Sequence, residues 1–385
     1  MRRSGGLRWL ALAGVLIVLA GCASENHSPA ASENTPPTGT GDDDAAPPVT
    51  PAVAPVDPLS VLFGDMGFEE YLAIRPVRSG PAPNGYTRYY FDLNDARCFD
   101  GEEANVAVSY GTSNNVMLFM EGGGARWPGD GGLAVNLDTT ADWSFKSREA
   151  DNPLRDWNFV YVPYCDASIH SGNNALEYDG MYHWHWGLRQ AAAAVALMKR
   201  LFPAPDKVLV AGSSAGGFGT FVGWAIAKSE YRDTKTYVLN DSGCGFWNPD
   251  DPETWDLIER TWAVRIPPEC ARCEGTTPLF LYELYQDLDP QVRIGMFSSY
   301  QDWIMTHLFF NMDPAKFQAD LVALTGELRA AHPDRYARFL IKGNSHTTYP
   351  PLLPAGPHYT VDGVSVYDWI DGLVNDDPDW PDLLE

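Results

Sequence analysis

The chain of 385 residues carries 45% hydrophobic and 12% aromatic side chains, which excludes a disordered polypeptide, a collagen-like repeat and a small disulfide-stapled module. Against 51 acidic residues stand 27 lysines and arginines, a formal charge of −24; the average surface repels a nucleic-acid backbone, so DNA or RNA is not an expected partner. Six cysteines are few for this length and fit one or two disulfides added to an ordinary core.

Arg2, Arg3 and Arg8 precede an apolar run from Trp9 to Ala20, too short for a bilayer span of about 20 residues but suited to a signal-peptide core. The run ends Leu19-Ala20-Gly21-Cys22. Small residues before a cysteine resemble the lipobox of bacterial lipoproteins, in which Cys22 would be acylated and become the first mature residue; an ordinary secretory signal with an incidental cysteine is the alternative. Both readings predict export, and the first adds a membrane anchor. From Ala23 to Asp57 the chain is rich in Pro, Ser, Thr, Gly and Asn and holds the run Asp42-Asp43-Asp44, a composition that stays solvated and extended. The expected organisation is therefore a signal peptide over 1–21, a lipidated cysteine and tether over 22–57, and one folded domain over 58–385. Loss of the three leader arginines leaves 24 basic against 51 acidic residues, a charge of −27. Ala23, in place of Asp after the cysteine, favours outer-membrane sorting where two membranes exist.

Along the folded part, strand-like runs are predicted at Thr87–Leu93, Val116–Met120, Phe159–Pro163, Lys207–Ala211, Thr236–Asn240 and Phe339–Ile341, several of them apolar throughout, as in strands covered on both faces. Helices are predicted at Gly187–Leu201, Ala215–Lys228, Asp313–Ala331 and Val366–Val374, and a loop at Cys270–Pro278. Alternation of strand and helix, with no repeat of 20 to 50 residues, predicts a single α/β domain with a mostly parallel sheet flanked by helices.

The strand Lys207–Ala211 runs into Gly212-Ser213-Ser214-Ala215-Gly216 and then a helix, the strand-turn-helix context of a nucleophile elbow. Small residues two positions either side of Ser214 let the backbone turn sharply and lift its hydroxyl above the sheet. A serine needs a histidine to take its proton and a carboxylate to orient the ring. Of the histidines downstream, His346 sits in a loop directly after a strand, whereas His307, His332 and His358 fall in a helix, a helix end and a Pro-rich stretch. Asp302, Asp287, Asp289 and Asp241 compete as the acid. Two amides must hold an oxyanion: that of Ala215 after the nucleophile, and one from the glycine run after Val116–Met120, with Gly123 and Gly124 as the candidates.

These segments together resemble the pectin acetylesterase/Notum family. The resemblance rests on Cys98-Phe99-Asp100-Gly101, Leu118–Gly124, Phe159–Asp166, Gly212–Gly217, Asp241-Ser242-Gly243, Ser299-Tyr300-Gln301-Asp302-Trp303 and Ser345-His346-Thr347, in that order. It implies an α/β-hydrolase-like serine carboxylesterase without cofactor or metal, with Ser214, Asp302 and His346 as triad, and Asp241 beside the site in hydrogen bonding, loop support or substrate contact. One departure matters. The plant pattern continues its glycine run with Trp-Cys, where this chain has Ala125-Arg126, so Cys165 must pair elsewhere; Cys98 is the preferred partner, and Cys270 with Cys273 forms a small loop disulfide, leaving Cys244 odd.

Trp127, Trp143, Trp184 and Trp186 precede the nucleophile and, with Trp303, are candidates to face sugar rings. The substrate expected from these readings is a short-chain, acetyl-type ester, on carbohydrate, handled by a monomer. A polyanionic polymer such as pectin is disfavoured by the charge. A longer-chain deacylase and a non-catalytic carbohydrate-binding lipoprotein are the alternatives.

Overall fold

The computed structural model describes residues 57–385 apart from 130, 139, 141–143 and 274–276. Cys22, the expected leader and tether up to residue 56, and Trp143 lie outside the described residues. Among the described residues no helix is long and apolar enough to cross a membrane.

A ten-stranded mixed sheet forms the frame. In chain order its strands are β1 (Pro76–Pro81), β2 (Thr87–Phe91), β3 (Asn105–Ser109), β4 (Val116–Met120), β5 (Asn158–Val162), β6 (Lys207–Ser213), β7 (Lys235–Asp241), β8 (Arg293–Ser299), β9 (Tyr336–Ile341) and β10 (Leu383–Leu384). Their spatial order is β1-β2-β3-β5-β4-β6-β7-β8-β9-β10. The first three are antiparallel to their neighbours, and from β5 to β10 every pairing is parallel.

The parallel strands are apolar throughout because both faces are covered. Their side chains alternate between two cores. Val208 and Val210 of β6 join Leu118, Val160, Val238 and Ile294 on one face, while Leu209 and Ala211 join Phe119, Tyr161, Leu239 and Phe297 on the other. The first face is covered by α2 (Gly187–Leu201) and α3 (Ala215–Glu230), with α1 (Pro58–Met66) packed on α3. The alanines 191–194 of α2 are fully buried, and their small side chains let α2 and α3 approach closely. Between β7 and β8 lie α4 (Pro252–Trp262) and α5 (Leu281–Leu288), and between β8 and β9 lies α6 (Pro314–Ala331). The other face is covered by α7 (Val366–Val374), whose Trp369 is fully buried and packs on Phe339 of β9.

The predicted strands and helices are present with ends shifted by up to three residues. Among the described residues, four strands of this sheet, the strands of three small two-stranded sheets and three helices were not predicted. β3 and β8 were missed because Asn105 and Ser109 bracket only three apolar residues, and because Gly295 and two serines interrupt β8. Within Cys270–Pro278, Pro278 opens a short 3-10 turn.

Cys98, after β2, is bonded to Cys165, after β5, across 67 residues; Cys270 is bonded to Cys273, and Cys244 is free and buried. Closing a loop of that length restricts the unfolded chain by about 4 kcal/mol on entropic grounds. Equilibrium urea unfolding of Cys98→Ala/Cys165→Ala should therefore show a loss of roughly 2–4 kcal/mol; an unchanged midpoint would show that the bond does not constrain the unfolded state.

Candidate active site

β6 ends in a backbone turn that a serine adopts only under constraint: Ser214 has φ 57° and ψ −120°, outside the ordinary regions for an L-residue. The flanking glycines permit it. A Cβ on Gly216 would lie 1.9 Å from the carbonyl oxygen of Met120, and one on Gly212 2.1 Å from that of Gly216. The Ser214 amide donates to the Asp241 carbonyl at 2.7 Å, fixing the turn to the end of β7. Ser214 then stands at the N-terminus of α3, where the first amides have no partner within the helix.

The histidine and the acid arrive from the next two strand ends. Backbone bonds tie the two loops together: Tyr300 to Ile341, Gln301 to Gly343 and Trp303 to Asn344, at 2.9–3.1 Å. This pairing sets Asp302 against His346, whose Nδ1 lies 2.7 Å from Asp302 Oδ2 and whose Nε2 lies 2.8 Å from Ser214 Oγ. Asp302 is fully buried, and its other oxygen accepts from the Met305 amide at 3.1 Å. Burial pulls the His346 pKa down, but the adjoining Asp302 carboxylate, by charge and hydrogen bond, and the Asp241 charge outweigh it, so the imidazole lies above its ordinary value.

Asp241 is fully buried and holds the histidine loop from beneath. It accepts from the Thr348 amide and hydroxyl and from the Ser213 hydroxyl at 2.8–3.1 Å, and Ser242 Oγ receives the Thr347 amide at 3.0 Å. Burial pushes its carboxyl up to about 6 against these bonds. With its oxygens spent on the protein, Asp241 does not face the cleft, which corrects the expectation of substrate contact and leaves loop support. The reserve acids are elsewhere: Asp287 lies 3.5 Å from His332, and Asp289 pairs with Lys228 at 2.9 Å. His307 is exposed and stacked on Trp303, and His358 is exposed beside Glu149 and Asp151.

The glycine run after β4 closes over the serine. A Cβ on Gly122 would meet that of Ser214 at 2.8 Å. Tyr164 packs under Gly123 and its hydroxyl donates to the Gly124 carbonyl. Glu121 was not singled out from the sequence: it is buried, lines the cleft, accepts from the Gly122 amide at 3.2 Å and pairs with buried Lys146 at 3.2 Å. An acidic residue directly after five apolar ones was the available signal; nothing in the local sequence marks Lys146.

Two cavities meet at Ser214. An open cleft of ≈ 280 Å³ has Leu133, Val135, Leu137, Leu308, Tyr349 and Leu352 as walls, with His346 and Thr347 on one side. A tighter pocket of ≈ 30 Å³ runs past Ala215 and is lined by Ile169, Phe218, Trp247, Trp255, Trp262 and Met305. Among the described residues, the predicted tryptophans line neither. Trp127 is buried behind the inner pocket, edge-on to Trp247 and Trp262; Trp303 is exposed and stacks on His307; Trp184 and Trp186 carry Arg97 and Arg189 guanidinium groups over their rings.

A strained serine turn on an inner strand of a mostly parallel sheet, with a histidine reaching it from a later strand end, is the arrangement of α/β-hydrolase-like proteins. A family model described as pectinacetylesterase matches residues 136–272, a span that holds Ser214 and stops before Asp302. The chain is also similar to the palmitoleoyl-protein carboxylesterase Notum of Homo sapiens, 25% identical over 270 residues, covering 60% of this chain and 51% of the relative. With the Notum of Mus musculus it shares 25% over 272 residues, 60% of this chain and 50% of the relative. The chain thus spans about half the length of the curated relatives it matches. Both comparisons point to the pectin acetylesterase/Notum family.

Proposed function

We propose that this chain is an exported serine carboxylesterase that removes a short acyl group through an acyl-enzyme. The observation that carries the reading is the unbroken hydrogen-bonded row from Ser214 Oγ through His346 to Asp302. His346 Nε2 takes the Ser214 proton as Oγ attacks the ester carbonyl carbon. The resulting oxyanion is held by amides of Gly123, Gly124 and Ala215, at the positive end of α3. Collapse breaks the bond to the alcohol oxygen, which leaves with the proton from His346; water then repeats the sequence and frees the acid and Ser214. Asp302 keeps the imidazole in one tautomer and stabilises its cationic form. The intact row speaks against the non-catalytic binding reading. The family's name supports an acetyl ester on carbohydrate, and a lipid on Cys22 followed by a solvated tether would hold the enzyme at a membrane.

The test is covalent. Incubating the full chain with a fluorophosphonate should label Ser214, located by peptide mass spectrometry, and abolish hydrolysis of p-nitrophenyl acetate. Label on another residue, or none on folded protein, would remove the reading. The rate against pH adds a second check. His346 works as a base only when neutral, and its pKa is raised, so the acid limb of kcat/KM should fall above pH 6.5, the ordinary histidine value.

A further inference from the structure

We infer that the acyl group of the substrate enters the inner aromatic pocket and that the open aliphatic cleft receives the alcohol, so that the substrate is a short acyl ester of a bulky apolar alcohol, with Phe309 dividing the two halves. The inference rests on the esterase reading and departs from it in the alcohol, which the cleft walls make apolar instead of carbohydrate. Its first support is the position of the proton donor. The group that leaves must lie on the side of the histidine that protonates it, and His346 and Thr347 line the open cleft but not the inner pocket. The inner pocket runs instead past Ala215, away from the histidine.

Size and chemistry give the rest. A water needs about 10–15 Å³ of such space, so ≈ 30 Å³ takes an acetyl-sized group and refuses a long chain, whereas ≈ 280 Å³ takes a large one. The cleft walls are aliphatic and wet: Leu133, Val135, Leu137, Leu308 and Leu352 are all exposed. A contiguous group of this kind around a reactive serine marks an apolar ligand; Tyr349 is the one exposed aromatic among the described cleft walls, and Trp127, Trp184, Trp186 and Trp303 do not line it. Net charge −24 disfavours an anionic alcohol in the same way.

Phe309 is the wall between the halves. With Gly124 and Ser214 it lines both cavities, and its ring tip lies 3.1 Å from where a Cβ on Gly124 would stand. It sits in the π-helical turn Ile304–Phe309 that follows Asp302. Truncating it joins the two spaces and lets a longer acyl chain pass from the inner pocket into the cleft.

The experiment measures kcat/KM of the full chain on two ester series. In the first the alcohol is p-nitrophenol and the acyl group grows from acetate through hexanoate to decanoate. In the second the acyl group is acetyl and the alcohol grows from ethanol to octanol, followed by acid release in a pH-stat. Each misfitted or newly buried segment is worth about tenfold or more, so decanoate should fall at least tenfold below acetate, and octyl acetate should rise at least tenfold above ethyl acetate. Phe309→Ala should raise the decanoate-to-acetate ratio about tenfold, and Phe309→Leu, which keeps the space filled, should raise it less. Leu308→Ser/Leu352→Ser should erase the preference for octanol, lowering kcat/KM on octyl acetate about tenfold more than on ethyl acetate. An active enzyme that prefers decanoate and ignores the alcohol overturns the assignment alone. So does a flat alcohol series in which the Leu308/Leu352 variant instead loses binding to phosphatidylcholine vesicles, because the cleft rim is then a lipid-docking face. Absence of any hydrolysis above the Ser214→Ala level overturns the esterase reading and this inference together.

Discussion

Ser214→Ala is expected to lower kcat for p-nitrophenyl acetate by on the order of 10⁴ to 10⁶ while leaving the protein folded. The size follows from what the serine does and from where it sits. Its Oγ forms the bond that replaces the alcohol, and its proton has one acceptor, His346 Nε2 at 2.8 Å; without the hydroxyl, neither step has a substitute. The hydroxyl makes no contact that the fold depends on, because the turn is held by the Ser214 amide on the Asp241 carbonyl, and alanine keeps that amide. Residual turnover would come from the oxyanion amides and binding alone. The measurement pairs steady-state rates with thermal unfolding. Equal rates for the wild type and the variant would mean that the observed hydrolysis belongs to another group, and a collapsed melting temperature would mean that the turn needs the hydroxyl. Gly216→Ala should lose both the rate and the melting temperature. Its Cβ meets backbone, not a movable side chain, at 1.9 Å, so the turn itself is lost.

The serine turn was legible because its requirements are local. Two glycines, a buried strand and a helix within about a dozen residues specify the geometry, and no distant contact is needed to read it. His346 was legible for a related reason: a histidine just past a buried strand lies at the sheet edge where the serine also ends. Asp302 was different. Composition left four aspartates in competition, and what separates them is the pairing of two loops through Tyr300, Gln301 and Trp303, which no residue pattern announces; the family resemblance supplied the choice. The cavities were not legible at all. The inner pocket takes residues from segments around 124, 169, 215, 250, 262 and 305, and the tryptophans that line it, Trp247, Trp255 and Trp262, lie after the nucleophile. Attention to Trp127, Trp184 and Trp186 followed from position in the chain, but distance along the sequence says little about which loop folds over a strand end. The aliphatic cleft was not legible because Leu133, Val135 and Leu137 carry no motif, and what matters about them is that they stay exposed beside the serine.

Asp302→Asn is the change that separates the two buried aspartates beside His346, and a loss of about 10⁴ in kcat at neutral pH is expected. The amide can still bond His346 Nδ1, but it can do so by donating, which leaves the hydrogen on Nε2 and turns the Ser214 hydroxyl's acceptor into a donor. It also removes the charge that stabilises the imidazolium as it forms. Asp241→Asn should cost far less, about tenfold or under, because Asp241 bonds Thr348 and Ser213 and touches no nitrogen of the ring. The pH profile distinguishes these roles further. Asp302 and Asp241 both raise the His346 pKa, Asp302 more strongly, so each variant should move the acid limb of kcat/KM to lower pH, Asp302→Asn by more. Stability carries its own sign. The folded Asp241 carboxyl, at about 6, lies above its unfolded value, so its contribution is full below the unfolded pKa and is lost as pH rises through about 6. Asp241→Asn should therefore flatten the decline of unfolding free energy across that interval, measured by urea titration at several pH values. If Asp241→Asn proves as damaging to kcat as Asp302→Asn, with the fold intact and the acid limb moved down by more than in Asp302→Asn, the orienting carboxylate is Asp241, and the short contact between His346 and Asp302 is a structural bond.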